Sequence, residues 1–188
     1  MKPVGMLMWE HRLIERVIGL FHEQVARIRE TSRADMAFIG TAVDFIRTYA
    51  DRTHHGKEED ILFRRLQGRD LPPHLGKIME ELINEHVYAR EIVAGLVDAG
   101  NRYVGGEETL PEIVDRLNAL AQFYPVHIVK EDRDFFHQSM GYLSAAEQQD
   151  MLREFEDFDR KMIHEKYRDI VEGLTGERVP WSPPGMVR

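Results

Sequence analysis

Cysteine is missing from this sequence altogether. Its absence excludes disulfides, thiolate zinc sites, iron–sulfur ligation and cysteine nucleophiles together. Long apolar runs are missing too: none approaches the roughly 20 residues that a membrane span requires. Positive charge is in deficit, with 25 Lys and Arg against 33 Asp and Glu and a net charge of -8. Nucleic acids and anionic membranes both call for clustered cations, so neither is expected as a partner. In the opening stretch MKPVGMLMWEHRL a charge arrives at Glu10 before any apolar core of signal-peptide length. That pattern points to a cytoplasmic protein. Strand-like alternation is scarce as well, which leaves helices as the expected elements.

What remains is an ordinary globular balance, 43% apolar and 31% charged over 188 residues, enough for one domain with a sizeable core. Apolar residues recur at three- and four-residue spacings. Clusters of Gly, Pro, Ser and Asp interrupt them at 30–35, 68–73, 104–109 and 140–145. The pattern predicts five helices, near 4–30, 35–67, 73–104, 108–138 and 144–173. Ser32 or Asp35 would cap the second, Pro72 and Pro73 suit the first turn of the third, and Ser144 with Glu147 reads as a capping box for the fifth. Short connections make neighbouring helices antiparallel. The expected fold is therefore all-α: an up-down-up-down four-helix bundle over 1–140, an additional C-terminal helix packed on it over 141–175, and an irregular tail over 176–188.

The sequence is rich in histidine, with nine, and their placement repeats. The pair Glu10–His11 recurs as Glu85–His86 at a lag of 75, and His54 and Glu58 recur as His127 and Glu131 at a lag of 73. Helices 1 and 2 thus look like a distant copy of helices 3 and 4, two hairpins related by a pseudo-two-fold axis. In THHGKEEDILF (53–63) the spacing offers two i, i+4 pairs, His54/Glu58 and His55/Glu59. At 100° per residue the apolar stripe of that helix centres about 50° from His54 and about 150° from His55. His54 and Glu58 are expected inside. His55 and Glu59 are expected as a surface pair. The same phase test puts His11, His86 and His127 with Glu131 on buried faces.

Four imidazoles and two carboxylates at one level of a dry core would cost many kcal/mol if left to pair with one another. A pair of divalent metal ions removes the difficulty. A mixed nitrogen and oxygen donor set without sulfur suits iron, manganese or zinc. Two ions with bridging carboxylates on a four-helix scaffold favour iron.

His11, the HxxxE at 54–58, the Glu-His at 85–86 and the HxxxE at 127–131 within YPVHIVKEDRDFF resemble the hemerythrin-like, or HHE cation-binding, family over residues of about 4 to 140. The resemblance implies an up-down-up-down bundle around a non-haem di-iron centre. His11, His54, Glu58, His86, His127 and Glu131 would be the ligands, with the glutamates bridging two iron ions that each receive two histidines. The oxygen-carrying members have HxxxH on the third helix, where Arg90 stands here, and HxxxxD on the fourth, which would select Asp132. The internal repeat selects Glu131. With one histidine fewer, the centre either has an extra open position or borrows a ligand. The implied role is binding of a small oxidant (oxygen, nitric oxide or peroxide) for sensing, storage or detoxification. Alternatives are a di-iron enzyme (peroxidase, nitric oxide reductase or iron donor for cluster repair) and an iron-dependent sensor or interaction module.

Other residues carry plainer readings. His22 reads as a core or helix-end histidine, and His74 and His137 as solvated ones. Tyr49 and Tyr124 read as packing residues within two turns of a ligand. Phe155, Phe158, Met162 and Ile163 would lay helix 5 along the bundle, His164 and Tyr167 share one of its faces, and its exposed side would serve a homodimer.

Overall fold

A computed structural model describes residues 2–159 and 163–179, the side chains of 163–165 excepted. Within those residues every regular element is helical. Helix α1 is Pro3–Thr31. Helix α2 runs over 36–66 and changes winding on the way. It is α-helical at Met36–Phe45, π-helical at Ile46–His55 and again at Glu58–Phe63, and α-helical at Arg64–Leu66. Helix α3 is Pro73–Val104. Helix α4 runs over 110–142, with Leu110–Val129 α-helical and Lys130–Phe136 π-helical. Helices α5 and α6 are Ala145–Asp159 and Ile163–Thr175. No helix among the described residues is long and apolar enough to cross a membrane.

Local chemistry explains the boundaries. α1 ends where Ser32 turns left-handed (φ 52°) and its N–H bonds to the Ile28 carbonyl. α2 starts where the Asp35 carboxylate accepts from the Phe38 N–H at 3.0 Å, so Asp35 is the cap and Ser32 closes the previous helix. Pro73 opens α3, a place where its missing N–H costs nothing. The capping box at α5 is present: Glu147 accepts from the N–H and hydroxyl of Ser144, and its own N–H donates to the Ser144 hydroxyl.

Within the span 144–173 expected as one helix, the described residues are helical over Ala145–Asp159 and Ile163–Thr175. Residues 160–162 lie outside the described residues, as do the side chains of Met162, Ile163 and His164 and most of the expected tail. α5 and α6 both pack against α1 and α2. Phe155 is buried in this contact, while Phe158 is 38% exposed. The Phe158 ring nonetheless lies over Gly56, where an added Cβ would fall 2.8 Å from it. Gly56 is thus the residue that lets α5 approach α2 beside the histidine pair.

α4 packs along both α1 and α3, and α2 packs on the same two helices. The apolar interior divides into two clusters. One is built on Leu13–Ile28 of α1 with Phe38–Ala50, Ile92–Ala99 and Ile113–Ile128; the other on Val4–Leu7 with Ile61–Leu66, Leu75, Leu82 and Phe135–Leu143. On each of the four helices, the buried histidines and glutamates sit where one of these stretches gives way to the other.

Candidate metal centre

His11, His54, Glu58, His86, His127 and Glu131, each at most 2% exposed, are brought together at that level. The histidines share one orientation. Nδ1 donates outward to a carboxylate: His11 to Asp132 at 2.7 Å, His54 to Glu10 at 2.8 Å, His86 to Glu59 at 2.7 Å and His127 to Glu85 at 2.8 Å. This fixes the tautomer and leaves each Nε2 lone pair pointing inward. All four Nε2 atoms, and all four oxygens of Glu58 and Glu131, lack a hydrogen-bond partner.

The two carboxylates reach between the histidines. Glu58 places Oε1 3.4 Å from His54 Nε2 and Oε2 3.4 Å from His86 Nε2. Glu131 places Oε2 3.1 Å from His11 Nε2, and Oε1 3.3 Å from His127 Nε2 and 3.5 Å from His86 Nε2. Each glutamate therefore offers one oxygen to a His11–His54 side and the other to a His86–His127 side. These approaches bring lone pair against lone pair, so they are not hydrogen bonds.

His55 corrects the surface reading. It is 1% exposed, and its ring stacks on His86 with centroids 3.9 Å apart and planes 10° apart. Its Nδ1 lies 3.4 Å from Asp51. The reason is the π-helical winding of Ile46–His55. An i→i+5 ladder turns less per residue than an α-helix, so the phase drifts along the segment until both His54 and His55 face inward. The Thr53 hydroxyl donates to the Thr48 carbonyl five residues back, in keeping with that winding. Two donor groups of side-chain atoms within 4.8 Å of one another result: His11, His54, Glu58 and Glu131, and His55, His86 and His127. His55 thus joins His86 and His127 as a third imidazole on that side. Glu59, expected as the surface partner of His55, instead accepts from His86 and Arg90.

Electrostatics separate inner from outer carboxylates. Burial pushes the Glu58 and Glu131 carboxyls well above the ordinary range. Glu10 adds to the rise at Glu58, and Glu58 to the rise at Glu131. Burial would raise Glu59, Glu85 and Asp51 too, but hydrogen bonds from His86, His127 and His55, each joined by a cation, hold them below it. Burial also drives His54, His55 and His86 down, and His127 down to about 4. The site thus holds neutral imidazoles with free lone pairs around two carboxyls that nothing on the protein neutralises. A pair of divalent cations meets both needs, so the residues fit the metal.

The outer ring was not found in the sequence, although the repeat signals it. Glu10 serves His54 as Glu85 serves His127, and Asp132 serves His11 as Glu59 serves His86. Lys57 and Lys130, at the same lag of 73, bind Glu10 and Glu85. His55, Asp51 and Arg90 stand outside this symmetry. Elsewhere, His22 is exposed rather than buried: the buried stripe there runs through Phe21, Val25 and Ile28, and His22 lies on its flank. His74 and His137 are exposed, and Tyr49 and Tyr124 are buried, as expected.

The family model of the hemerythrin HHE cation binding domain matches residues 2–139. Curated relatives include uncharacterized proteins of Mycobacterium bovis and of two strains of Mycobacterium tuberculosis. Each is 21% identical over 171 residues, covering 90% of this chain and 66% of the relative. The chain thus spans just under two thirds of the length of these relatives. No solved structure matches it.

Proposed function

The chain belongs to the hemerythrin HHE cation-binding family, and we propose that it is a non-haem di-iron protein that binds a small oxidant (oxygen, nitric oxide or peroxide) for sensing, storage or detoxification. In this reading the first four helices form an up-down-up-down bundle around the centre. Glu58 and Glu131 would hold two ions, with His11 and His54 on one side and His86, His127 and His55 on the other. The observation that carries the reading is the set of eight inward donor atoms, four imidazole nitrogens and four carboxylate oxygens, buried without a hydrogen-bond partner.

A bound iron pair supplies exchangeable electrons and a coordination position for the oxidant. The residues of the chain do the rest. The outer carboxylates hold each imidazole in its ligating tautomer and orientation. Phe63, Phe123 and Phe136 stack against His86, His127 and His11 and keep water from the ring faces. Arg90 is bonded to Asp51 and Glu59 at 2.7 and 2.8 Å, so it braces two outer carboxylates at once.

The test is metal content followed by spectroscopy. Protein purified without added metal is expected to carry about two iron ions per chain. After anaerobic ferrous loading, oxygen or peroxide should change its visible spectrum. Zinc, or no metal even after ferrous loading, would remove the redox reading. Sustained consumption of peroxide in place of a stable adduct would favour the enzymatic alternative.

A further inference from the structure

Two aromatic rings join the metal centre to the outer surface of the bundle. Phe123 stacks on His127 with centroids 5.0 Å apart and planes 20° apart, and Tyr88 meets Phe123 edge-on at 5.8 Å. Tyr88 is 51% exposed, and Val126, one turn from Phe123 on α4, is 67% exposed. With Ala119 and Gln122 they shape an open groove between α3 and α4, and His127 itself belongs to the lining. The rings stacked on His11 and His86 lead elsewhere: Phe136 and Phe63 are buried in the apolar cluster built on Val4–Leu7. Electron tunnelling falls off exponentially with distance. A donor seated on the groove would have little more than the Phe123 ring between itself and a ligand histidine.

The face has an exposed apolar centre and a charged rim, the make-up of a contact surface. Glu81, Glu85 and Glu91 share the side of α3 that carries Tyr88, at spacings of three and four residues. Lys130 is bonded to Glu81 and Glu85. Three carboxylates around Tyr88 thus stand against one ammonium, on a chain of net charge -8. A second copy would set these glutamates against their own equivalents across a two-fold axis. A partner with cations around an apolar centre is drawn to the same rim. The apolar patch is only a few side chains wide, which suits a weak redox encounter rather than a permanent dimer.

We infer that this face docks a small one-electron carrier protein, apolar at the centre of its contact surface and cationic at the rim, and that Phe123 and His127 lead its electron inward. The inference rests on the di-iron reading above and gives that centre a reductant. In each encounter one electron leaves the carrier's reduced group and one ferric ion becomes ferrous. No bond forms or breaks, and two encounters return a diferric pair to the diferrous state.

The probe is cytochrome c, a one-electron carrier with lysines around an exposed haem edge, and the transfer is followed in reverse. The diferrous full-length chain is mixed anaerobically with ferricytochrome c, and haem reduction is read by stopped flow. Val126→Lys is expected to lower the second-order rate constant about tenfold at low salt, and Glu91→Lys to lower it several-fold. Val104→Lys makes the same change of charge at the far end of α3, where Val104 is 71% exposed, and should leave the rate near that of the parent. Equal rates in Val126→Lys and Val104→Lys overturn the docking face and leave the metal reading standing. A chain that takes up no iron tells against the metal reading instead. Docking is then read on the metal-free chain, from the backbone amide NMR shifts that cytochrome c induces. Shifts centred on Tyr88, Gln122 and Val126 support the face, and shifts elsewhere, or none, overturn it.

Discussion

Two lysines in equivalent places of the repeat live in different worlds. Lys57 and Lys130 each bind the glutamate that orients a histidine, Glu10 for His54 and Glu85 for His127. Lys57 is fully buried, because α5 covers it and contributes Asp159 as a second anion at 2.6 Å. Lys130 is 23% exposed and binds Glu81 at 3.1 Å on the open flank of α3. The same wiring is therefore sealed on the α1–α2 side and solvated on the α3–α4 side. The difference shows how a duplicated scaffold becomes asymmetric. α5, which lies beyond the family-matched residues, closes one flank, and the other keeps the Arg90–Asp51 pair and the groove over His127.

The largest effect should come from the groups that both sides share. Glu131→Gln removes the carboxylate that faces His11, His86 and His127, and metal content is expected to fall from about two ions per chain to fewer than one. Because the buried carboxyl is already pushed toward its neutral form, the metal-free variant should fold as well as the parent. Loss of metal with a matching loss of apo stability would mean that the residue is structural.

Next comes the direct test of the comparison. Lys57→Met takes the buried cation from between Glu10 and Asp159 and is expected to cost about 3–5 kcal/mol in urea unfolding of the metal-free protein. Lys130→Met on the solvated flank should cost about 0–1 kcal/mol. Equal losses would show that α5 does not seal its side.

His55→Phe keeps a ring against His86 but deletes the nitrogen. It should reduce metal content to about one ion per chain and leave the His11–His54 side loaded. Asp51→Asn, which weakens the support of His55 and the contact with Arg90, should weaken metal binding about tenfold.

The smallest effect is on pH dependence, read by denaturant midpoints of the metal-free protein. His54, His55, His86 and His127 are depressed below 6.5, so between about pH 4.5 and 6.5 the unfolded chain binds more protons and stability rises with pH. Glu58 and Glu131 are raised above 4.5. Over that same interval they oppose this trend but are outnumbered. Their own contribution falls as pH rises from 4.5 through their folded pKa values, where the unfolded carboxylates are ionised and the folded carboxyls still hold protons. A stability maximum is therefore expected, with an acid flank set by the histidines and an alkaline flank set by the two carboxyls. Glu58→Gln should flatten the alkaline flank, and metal should abolish it.

How much of this was legible follows from which signals are local. Helix ends at Asp35, Pro73 and Ser144 could be read because caps and proline act within a few residues. His11, His54, His86 and His127 could be placed inside because α-helical phase and the repeat agree at each of them. His55 was misplaced because that phase was applied to a stretch that winds as a π-helix.

The sequence by itself determined that four histidines and two glutamates must share a dry level of a helical core. Spacing sets phase, and burying so many donors calls for a cation. Only the tertiary structure decided which carboxylate turns each imidazole, that His55 joins His86 and His127, and that Lys57 is sealed while Lys130 is not. Those outcomes depend on the winding of α2 and on where α5 comes to rest. Both are set by contacts between residues up to 149 apart, as between Glu10 and Asp159 through Lys57, where no local periodicity reaches.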